Sequence, residues 1–318
     1  MTKRQIVVGI DTSNYTTSVA LLSTEGELIA NVKELLDVPE GQCGLRQSDA
    51  LFQHVRRLPE LIGRAKAACG DAEIVAVGVS TRPRNIEGSY MPVFLAGEAS
   101  AEALSLGAGC PIYRFSHQCG HIMAALYSAG KRFSVGDGFA AVHLSGGTTE
   151  LLRVSCLEAG FDAEIVGGTR DLNAGQVIDR IGVMLGMPFP AGRHLEAEAL
   201  KYKGSIPRRK ISREGMSVNL SGVVNIAERM YKDGEEAPKI AAFVFDYVGR
   251  AVVEMLSEYE RTWGKSHVVC AGGVMCNSII RSMIDARFDA SFAEPAMSSD
   301  NAVGIAALAL KSFNGDEK

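Results

Sequence analysis

The sequence predicts an α/β fold made of two lobes that share one plan. The chain has 318 residues, about twice the usual length of one compact unit, so two lobes of roughly 120–160 residues are expected. A pattern of strand, small polar turn, strand, turn and strand over residues 6–31 recurs over residues 139–166. This long offset indicates a duplicated domain and not a short-repeat solenoid.

Apolar periodicity predicts the elements of each copy. In the first copy they are strands 6–10, 17–22 and 28–30, a helix over 50–68, a strand over 74–80 and a helix over 93–106. In the second copy they are strands 139–144, 151–155 and 163–166, helices over 172–185 and 240–263, a strand over 267–270 and a helix over 302–312.

Three strands, a helix, a strand and a helix, present twice, form the plan of the actin, sugar-kinase and heat-shock ATPase superfamily. We therefore predict a duplicated actin-like fold with the ligand in an interlobe cleft. Lobe I is expected over residues 1–115 and lobe II over residues 116–301. The C-terminal helix, residues 302–318, is expected to pack back on lobe I.

Composition restricts the function classes and the compartment. A formal charge of −4 and a pI of about 5.9 argue against bulk nucleic-acid binding but allow a local basic patch. Seven cysteines without zinc-knuckle spacing do not indicate a disulfide framework. No secretory signal and no apolar run of the ~18 residues that a membrane span needs are evident, so we expect a cytoplasmic protein that does not contact membranes.

The segment over residues 187–238 interrupts the repeated plan and is predicted to be an insertion on lobe II. It contains several prolines, and no acidic residue occurs between positions 201 and 213. Its cations are a candidate contact for an RNA backbone, because each phosphate that they neutralise releases counterions; the alternative is a solvated loop. The candidate RNA contacts are Lys201, Lys203, Arg208, Arg209 and Lys210.

Three turns of small residues each follow a buried strand, namely Asp11-Thr12-Ser13, Ser145–Thr149 and Ala271–Val274. Glycines let backbone N–H groups approach a phosphate, and hydroxyls add donors. At Gly272 and Gly273 a base or ribose can lie flat against the backbone. Any one of these is an ordinary turn, but the three together predict an adenine-nucleotide site. Asp179, on the predicted helix 172–185, is either an acceptor for ribose hydroxyls or a solvated carboxylate.

His117 and His121 are four residues apart, so on a helix their imidazoles share one face and can bind one cation. Asp300 precedes the last helix and is either its N-cap or a carboxylate ligand from a separate segment. Two histidines and one carboxylate suit Fe(II) or Zn(II). One such divalent metal per chain is therefore predicted, with two unrelated histidines as the alternative.

An ordered set of motifs resembles the universal tRNA threonylcarbamoyl transferase family, once labelled O-sialoglycoprotein endopeptidases. The resemblance extends from about Val7 to Leu310. The motifs are Gly9–Ser13, the stretch around His54, His117-x-x-x-His121, Leu144–Gly147, Ala174-Gly175 through Asp179, Leu220-Ser221-Gly222, Ala271–Val274 and Asp300-Asn301.

The resemblance implies transfer of a threonylcarbamoyl group from threonylcarbamoyl-AMP to the exocyclic amine of an adenosine beside the anticodon of tRNA. It implies that His117, His121 and Asp300 bind the metal. The adenylate contacts that it implies are His143, Leu144, Ser145, Gly146, Gly147, Asp179, Gly192 and Asn277. The expected ligands are threonylcarbamoyl-AMP or ATP and tRNA, and we also expect a protein partner or a homodimer through lobe I.

The chain departs from the family at three places. Tyr15 and Thr16 stand where the family has two acidic residues, Thr148 stands where it has histidine, and Arg82-Pro83-Arg84 replaces a Gly-Pro-Gly turn. Asp11 is therefore the candidate catalytic residue, as a base or as an ion partner; the alternative is a structural turn residue.

Two other functions remain open at this point. One is a carbamoyl transferase of the same fold that acts on a small molecule, and the other is a non-catalytic nucleotide-binding paralogue. A metallopeptidase is disfavoured, because the residues between His117 and His121 do not form His-Glu-x-x-His.

Overall fold

The computed structural model describes residues 3–13, 15–38, 45–158, 160–298 and 302–316. The chain divides into two compact units. Unit 1 comprises Met1–Asp137, Ser155–Asp162 and Ser299–Lys318, and unit 2 comprises Gly138–Val154 and Ala163–Ser298. Unit 1 thus continues past residue 115, where the sequence placed the end of lobe I, and it includes His117 and His121.

Unit 1 is built on a five-stranded sheet with the order β3-β2-β1-β4-β5. The strands are β1 Gln5–Asp11, β2 Thr16–Ser23, β3 Leu28–Leu35, β4 Glu73–Arg82 and β5 Ile112–Ser116. Strand β2 is antiparallel to β1 and β3, whereas β4 is parallel to both β1 and β5. The carboxyl ends of β1, β4 and β5 therefore meet at one edge of this sheet, the usual place for a ligand in such folds.

Four helices cover the sheet of unit 1. They are α1 Gln47–Cys69, α2 Phe94–Ala108, α3 His117–Ser128 and α10 Val303–Asp316. Helices α1 and α2 pack together and against the sheet, burying Leu58, Leu61 and Ala101. The apolar sides of β1 and β4 provide the rest of this core.

Helix α10 lies directly on strands β1 and β4, because glycines remove the side chains in its path. Gly9 and Gly78 are paired across the two strands. A Cβ atom at Gly9 would lie 2.5 Å from the Ala302 carbonyl oxygen, and one at Gly78 would lie 2.8 Å from that of Ile305. Contacts so short are not tolerated, so glycine is required at both positions.

Helix α10 also approaches α3 at backbone distance. A Cβ atom at Gly304 would lie 1.9 Å from the carbonyl oxygen of Gly120. Gly120 stands between the two histidines of α3. The same glycine-lined seat therefore fixes α3 relative to the sheet of unit 1.

Unit 2 is built on a seven-stranded sheet with the order β12-β11-β6-β7-β8-β10-β9. The strands are β6 Gly138–Leu144, β7 Thr149–Leu157, β8 Gly160–Thr169, β9 Ser212–Glu214, β10 Ser217–Asn219, β11 Val268–Ala271 and β12 Ala290–Phe292. Strand β11 is parallel to β6 and β12. The duplicated α/β plan predicted from the sequence is confirmed, since each unit has three consecutive neighbouring strands followed by helices and a further strand.

The helices of unit 2 surround α7, whose central residues are buried. They are α4 Ala174–Met184, α5 Gly192–Ala199, α6 Ser221–Lys232, α7 Ala237–Trp263, α8 Ser278–Asp285 and α9 Pro295–Ser298, with a 3-10 helix at Gly273–Cys276. The segment 187–238 is not a separate insertion, because β10 pairs with β8 and α6 buries Val223 and Ala227. Its stretch from 201 to 210 is largely exposed and basic.

The predicted helices differ from the structure by a few residues at their ends. The helix predicted over 240–263 begins at Ala237, where Pro238 in the first turn leaves no helical hydrogen bond unmade. None of the described helices has the length and apolar character needed to cross a membrane.

The contact between α3 and α10 predicts a large effect of one methyl group. Gly304→Ala is expected to lower the free energy of unfolding by about 1–3 kcal/mol or more, because the new Cβ meets the backbone of Gly120. Gly107→Ala, on the open side of α2, is the control and is expected to stabilise by about 0.5–1 kcal/mol. Urea unfolding measures both, and equal stability of the two variants would contradict this packing.

Candidate functional site

In unit 1 the Asp11 carboxylate, at the end of β1, is fully buried. Its Oδ1 accepts hydrogen bonds from the Ser13 N–H at 3.0 Å and the Ser80 hydroxyl at 2.6 Å, and its Oδ2 accepts one from the Ser13 hydroxyl at 3.1 Å. The two bonds from Ser13 form an Asx turn, which explains the tight Asp11-Thr12-Ser13 bend. Ser80 brings the neighbouring strand β4 to the same carboxylate.

The first histidine of α3, His117, contacts Asp11, and His121 lies beside His117. Helix α3 begins at His117, and the Ser116 hydroxyl caps it by accepting the Cys119 N–H. His117 Nδ1 lies 2.9 Å from Asp11 Oδ2, and its Nε2 lies 3.3 Å from Ser13 Oγ. The ring centroids of His117 and His121 are 4.2 Å apart, so both imidazoles occupy one face of the helix.

The Asp11–His117 contact is of the kind that metal-binding histidines make, because a carboxylate on Nδ1 fixes the tautomer and leaves Nε2 for a ligand. In this structure Nε2 of His117 contacts the Ser13 hydroxyl. Within the described ranges, no three histidine, cysteine, aspartate or glutamate side chains come together closely enough to hold an ion. Asp300, the third expected ligand, lies outside the described residues.

Cys119, between the two histidines in sequence, is not available as a ligand or nucleophile. It lies on the opposite side of α3, where its thiol donates to the Phe161 carbonyl and accepts from Asn85 Nδ2. Burial raises the pKa of the Cys119 thiol, so the thiolate that metals and electrophiles require does not form at neutral pH.

In unit 2 the Ser145–Thr149 turn joins β6 to β7 and is closed by its own backbone. The Ser145 N–H donates to the Thr148 carbonyl at 2.8 Å, and the Gly147 N–H donates to the Ser145 hydroxyl at 3.3 Å. A Cβ atom at Gly175 would lie 2.7 Å from Gly146 Cα. The first turn of α4 therefore rests directly on the glycine pair.

The Ala271–Val274 turn reaches the same strand end. Gly272 has a φ of +95°, and a Cβ atom there would lie 2.2 Å from the Leu144 carbonyl oxygen and 2.8 Å from His143 Cδ2. Only glycine permits both this conformation and this approach. These contacts form one cluster of His143, Leu144, the Ser145–Gly147 loop and Gly272. Gly273 begins the 3-10 helix that follows.

A second cluster in unit 2 contains the other predicted adenylate contacts. Asp179 Oδ1 accepts the Ala191 N–H at 2.8 Å and so fixes the residue before Gly192, where α5 begins. Asn277 Oδ1 caps α8 by accepting the Ile280 N–H, whereas its buried Nδ2 has no hydrogen-bond partner among the described residues. A buried donor of this kind is costly unless a ligand satisfies it.

Three supporting residues were missed by the sequence analysis. Ser80 donates a hydrogen bond that holds the Asp11 carboxylate. Glu196 on α5 accepts both the N–H and the hydroxyl of Ser278, at 2.7 and 2.6 Å, beside Asn277. Asp171, in the turn before α4, accepts from Leu172, Leu220 and Ser221. The Asp171-Leu172-Asn173 sequence before a helix was a recognisable capping signal, but nothing in the sequence distinguished Ser80 or Glu196.

The candidate RNA contacts are all exposed, but they differ in whether an acidic side chain pairs with them. Lys201 pairs with Glu198 at 2.5 Å. The chain at Arg209 is held by Arg250, which donates to the Arg209 carbonyl at 2.9 Å. Arg213, farther along the segment, pairs with Glu254 at 3.1 Å and Glu258 at 3.6 Å, so the positive surface is concentrated around Arg208–Lys210.

Sequence comparison identifies relatives over nearly the whole chain. A profile of the TsaD family, described as tRNA N6-adenosine threonylcarbamoyltransferase, matches residues 28–307. Proteins of that name from Streptococcus suis (strain 05ZYH33) and Methanopyrus kandleri are 29% and 28% identical to this chain. The alignments cover 99% of this chain and 94% of the first relative, and 95% of this chain and 86% of the second.

Solved structures share the fold at low sequence identity. T. kodakarensis HypF superposes with a TM-score of 0.62 at 14% identity, over 98% of this chain and 48% of HypF. This chain thus spans about half the length of HypF. The activator of the 2-hydroxyisocaproyl-CoA dehydratase from Clostridium difficile, solved with bound ADPNP, superposes with a TM-score of 0.55 at 13% identity, covering 98% of this chain and 97% of the activator.

The Asp171 contacts predict a pH-dependent contribution to stability. Burial raises the pKa of this carboxyl, but hydrogen bonds from the Ser221 hydroxyl and from the N–H groups of Leu220, Leu172 and Ser221 lower it further, to a net value below the usual one. The ionised form therefore stabilises the folded state above the unfolded-state pKa of about 3.9, and this contribution is lost as the pH falls through the folded-state pKa.

Asp171→Asn is accordingly expected to lower the urea midpoint at pH 7. The difference from the native chain should shrink below about pH 4. Asp162→Asn, at an exposed position in β8, is the control. A native-to-variant difference that stays constant from pH 7 to pH 3 would contradict the assigned role of the carboxylate.

Proposed function

Because the chain belongs to the tRNA N6-adenosine threonylcarbamoyltransferase family, we propose that it transfers a threonylcarbamoyl group from threonylcarbamoyl-AMP to tRNA. The acceptor is the exocyclic amine of the adenosine beside the anticodon, and the reaction takes place in the cytoplasm. The family match over residues 28–307 carries this proposal. It includes the histidine pair, the glycine loop, Asp179 and Asn277, which lie in the clusters described above.

We assign His117, His121 and Asp300 to one divalent metal ion, iron or zinc. The Asp11–His117 contact supports this assignment. Asp300 is assigned as the third ligand from the family resemblance. A divalent ion held by these residues would supply a Lewis acid for the carbamoyl oxygen.

We assign the AMP part of the donor to unit 2. Glycines 146 and 147 allow a phosphate to approach the backbone of the loop, and the N-terminus of α4 lies directly behind them. Asp179 is assigned to accept from a ribose hydroxyl, and the buried Nδ2 of Asn277, which has no partner among the described residues, is assigned as a donor. An added Cβ at Gly273 would meet no described atom within 4 Å, so this position leaves room for a flat base or ribose, whereas Gly272 lies against Leu144.

The transfer step requires the adenine amine to attack the carbamoyl carbon of the mixed anhydride. The C–O bond to the phosphate breaks, AMP leaves with the bonding electrons, and the proton of the amine passes to the departing phosphate. Asp11 already accepts from Ser13 and Ser80 and contacts His117, so we propose that it acts as the ion partner that positions His117. Tyr15 and Thr16 lack the carboxylates that the family places near the acceptor.

We assign tRNA binding to the basic surface around Arg208–Lys210, with Lys201 and Lys203 beside it. Exposed cations on a segment held at Arg209 by Arg250 suit a phosphate backbone. A protein partner or a second copy of the chain is assigned to unit 1. Apolar side chains there are exposed on α1 and α2, namely Phe52, Val55, Leu95 and Leu106.

Complementation tests the proposed function. A strain depleted of its own transferase is expected to recover N6-threonylcarbamoyladenosine in its tRNA when this chain is expressed, as measured by mass spectrometry of digested nucleosides. The inactive control is the His117→Ala and His121→Ala double variant. No recovery with well-expressed, folded chain, even when partner proteins from the same source are supplied, would favour the small-molecule transferase or the non-catalytic paralogue.

The metal assignment predicts about one transition-metal ion per chain. His117→Ala is expected to lower that content, because one of three ligands is lost, and Asp11→Asn is expected to weaken metal affinity by roughly 10- to 100-fold. His194→Ala, an exposed histidine on α5, is the control. Elemental analysis after reconstitution measures the content, and full metal content in the His117→Ala variant would reject the assignment.

The basic segment predicts a separation between tRNA and nucleotide binding. Changing Arg208, Arg209 and Lys210 to Glu is expected to weaken tRNA affinity and flatten its dependence on salt, with AMP binding unchanged. The control variant changes three exposed cations elsewhere in unit 2 to Glu, namely Lys232, Lys265 and Arg287. It has the same change in net charge. Equal tRNA affinity of the two triple variants at low salt would show that Arg208–Lys210 is a solvated surface and not a tRNA contact.

A further inference from the structure

Unit 1 contains a large groove that the proposed site does not use. Its volume is about 1140 Å³, and every residue that lines it belongs to unit 1. Helices α3 and α10 line it, and the turns after β2 and β7 also contribute to its walls. A space of this size accommodates a small organic molecule, since ligand pockets usually measure about 300–1,000 Å³. We call it the α3–α10 groove.

The groove is separate from the metal site along α3. His117 and His121 stand in the first two turns of this helix, whereas Met123, Leu126 and Tyr127 line the groove. Tyr127 follows His117 by ten residues, a rise of about 15 Å along a helix. A molecule in the groove therefore does not occupy the place of the metal.

The walls of the groove include apolar side chains from several elements. Leu22 from β2, Leu126 from α3 and Leu310 from α10 all line it and are at most 9% exposed. Phe161, from the turn region after β7, adds an aromatic ring. An apolar ligand body is stabilised here, because its burial removes further apolar surface from water.

One buried polar group stands among these apolar side chains. Ser312 on α10 lines the groove and is 7% exposed, and its hydroxyl has no hydrogen-bond partner among the described residues. A helical serine can satisfy its hydroxyl on the carbonyl four residues earlier, as Ser257 does on Val253 at 2.7 Å. A buried hydroxyl without a partner is costly unless a ligand satisfies it. Ser312 therefore indicates a hydrogen-bonding ligand atom in the groove.

Two exposed cations at the end of α3 line the groove. The helix ends at Gly130, which has a φ of +63°, and the Lys131 N–H donates to the Leu126 carbonyl at 3.0 Å. This glycine turn satisfies the last carbonyl groups of the helix and directs the chain to the groove. Lys131 and Arg132 follow it, and neither pairs with a carboxylate among the described residues.

A third cation comes from α10, next to Ser312. Lys311 Nζ donates to the Leu157 carbonyl at 3.0 Å and lies 5.7 Å from the ring centroid of Phe161. Both contacts are with neutral groups, so they hold the ammonium in place without compensating its charge. Two of its three N–H donors remain for a ligand.

The charges of the lining favour a ligand with one negative charge. Glu25 and Glu158 also line the groove, and Glu25 accepts from the Thr24 hydroxyl at 3.1 Å within its own turn. Three cations and two carboxylates give the lining a net charge of +1. A monoanion balances this charge, whereas a cation would increase it.

We propose that the α3–α10 groove binds a small amphipathic molecule with one negative charge, such as a carboxylate on an apolar body. The acidic group lies against the cations Lys131, Arg132 and Lys311. The apolar body packs between the leucines of α3 and α10, and the Ser312 hydroxyl donates to a ligand oxygen. This proposal does not depend on the tRNA function.

The test uses the full chain and anilinonaphthalene sulfonate, a monoanion with an aromatic body whose fluorescence rises in an apolar site. The probe is titrated with and without AMP and then displaced by octanoate, octyl sulfate or octylammonium. The groove variants are Ser312→Ala and the double change Lys131→Gln with Arg132→Gln. The matched control is Lys232→Gln with Lys265→Gln, two exposed cations of unit 2. Urea unfolding without probe is measured for every variant.

One probe molecule per chain is expected to bind, with the same affinity in the presence of AMP. Octanoate and octyl sulfate should displace it, and octylammonium should not. The double cation variant is expected to bind the probe about fivefold more weakly, because two exposed charges are lost. The control should stay within about twofold of the native chain.

Ser312→Ala is expected to change binding and stability in opposite directions. Probe affinity should fall by about threefold to tenfold, because a hydrogen bond to the ligand is lost. The urea midpoint of the probe-free chain should rise, because a buried hydroxyl without a partner is removed. A serine that only supports the fold would lower the midpoint when replaced.

Four results overturn the proposal. They are the absence of saturable binding at one probe per chain, displacement of the probe by AMP, equal displacement by octylammonium and octanoate, and native probe affinity in both groove variants. None of these measurements involves RNA, so such a failure leaves the proposed tRNA function untouched.

Discussion

The seat of α10 on β1, β4 and α3 is the constraint on which unit 1 depends. Gly9, Gly78, Gly120 and Gly304 have no side chains to separate the elements, so α10 approaches where an added Cβ would not fit. This contact fixes the end of β1, which carries Asp11, relative to the helix that carries His117 and His121. Gly9 in the first motif and Gly120 between the histidines are therefore both needed for the packing of α10.

Asp11 connects its own turn, strand β4 and helix α3 through one buried carboxylate. It closes the turn to Ser13, holds Ser80 on the adjacent strand, and contacts His117. A buried carboxylate is stable only when such partners compensate the cost of its desolvation. These contacts fix the orientation of the His117 ring. An aspartate in the turn after β1 therefore orders a side chain on α3.

The fold and the position of His117 and His121 on one helix face were predictable from sequence because each rests on local patterns. Alternating apolar runs identified the duplicated strands, and the four-residue spacing of His117 and His121 predicted one helix face. The lobe boundary at residue 115 was misplaced, because the packing of Gly304 on Gly120 joins residues far apart in sequence. Ser80 and Glu196 were missed for the same reason: a serine in a strand and a glutamate on a helix acquire their roles only through tertiary contacts. The segment 187–238 was predicted to be an insertion because its prolines and cations are typical of loops. It contains the short strands β9 and β10 and the partly buried helix α6.

Transfer in a purified system tests the central claim most directly. The chain, loaded with metal and supplied with partner proteins where it requires them, is mixed with threonylcarbamoyl-AMP that carries a labelled threonyl group and with an anticodon stem-loop. The account predicts label in N6-threonylcarbamoyladenosine at the adenosine beside the anticodon, none when guanosine replaces that adenosine, and none with the His117→Ala and His121→Ala double variant. Binding of the adenylate without any label in RNA, when an established transferase labels the same stem-loop, would contradict it.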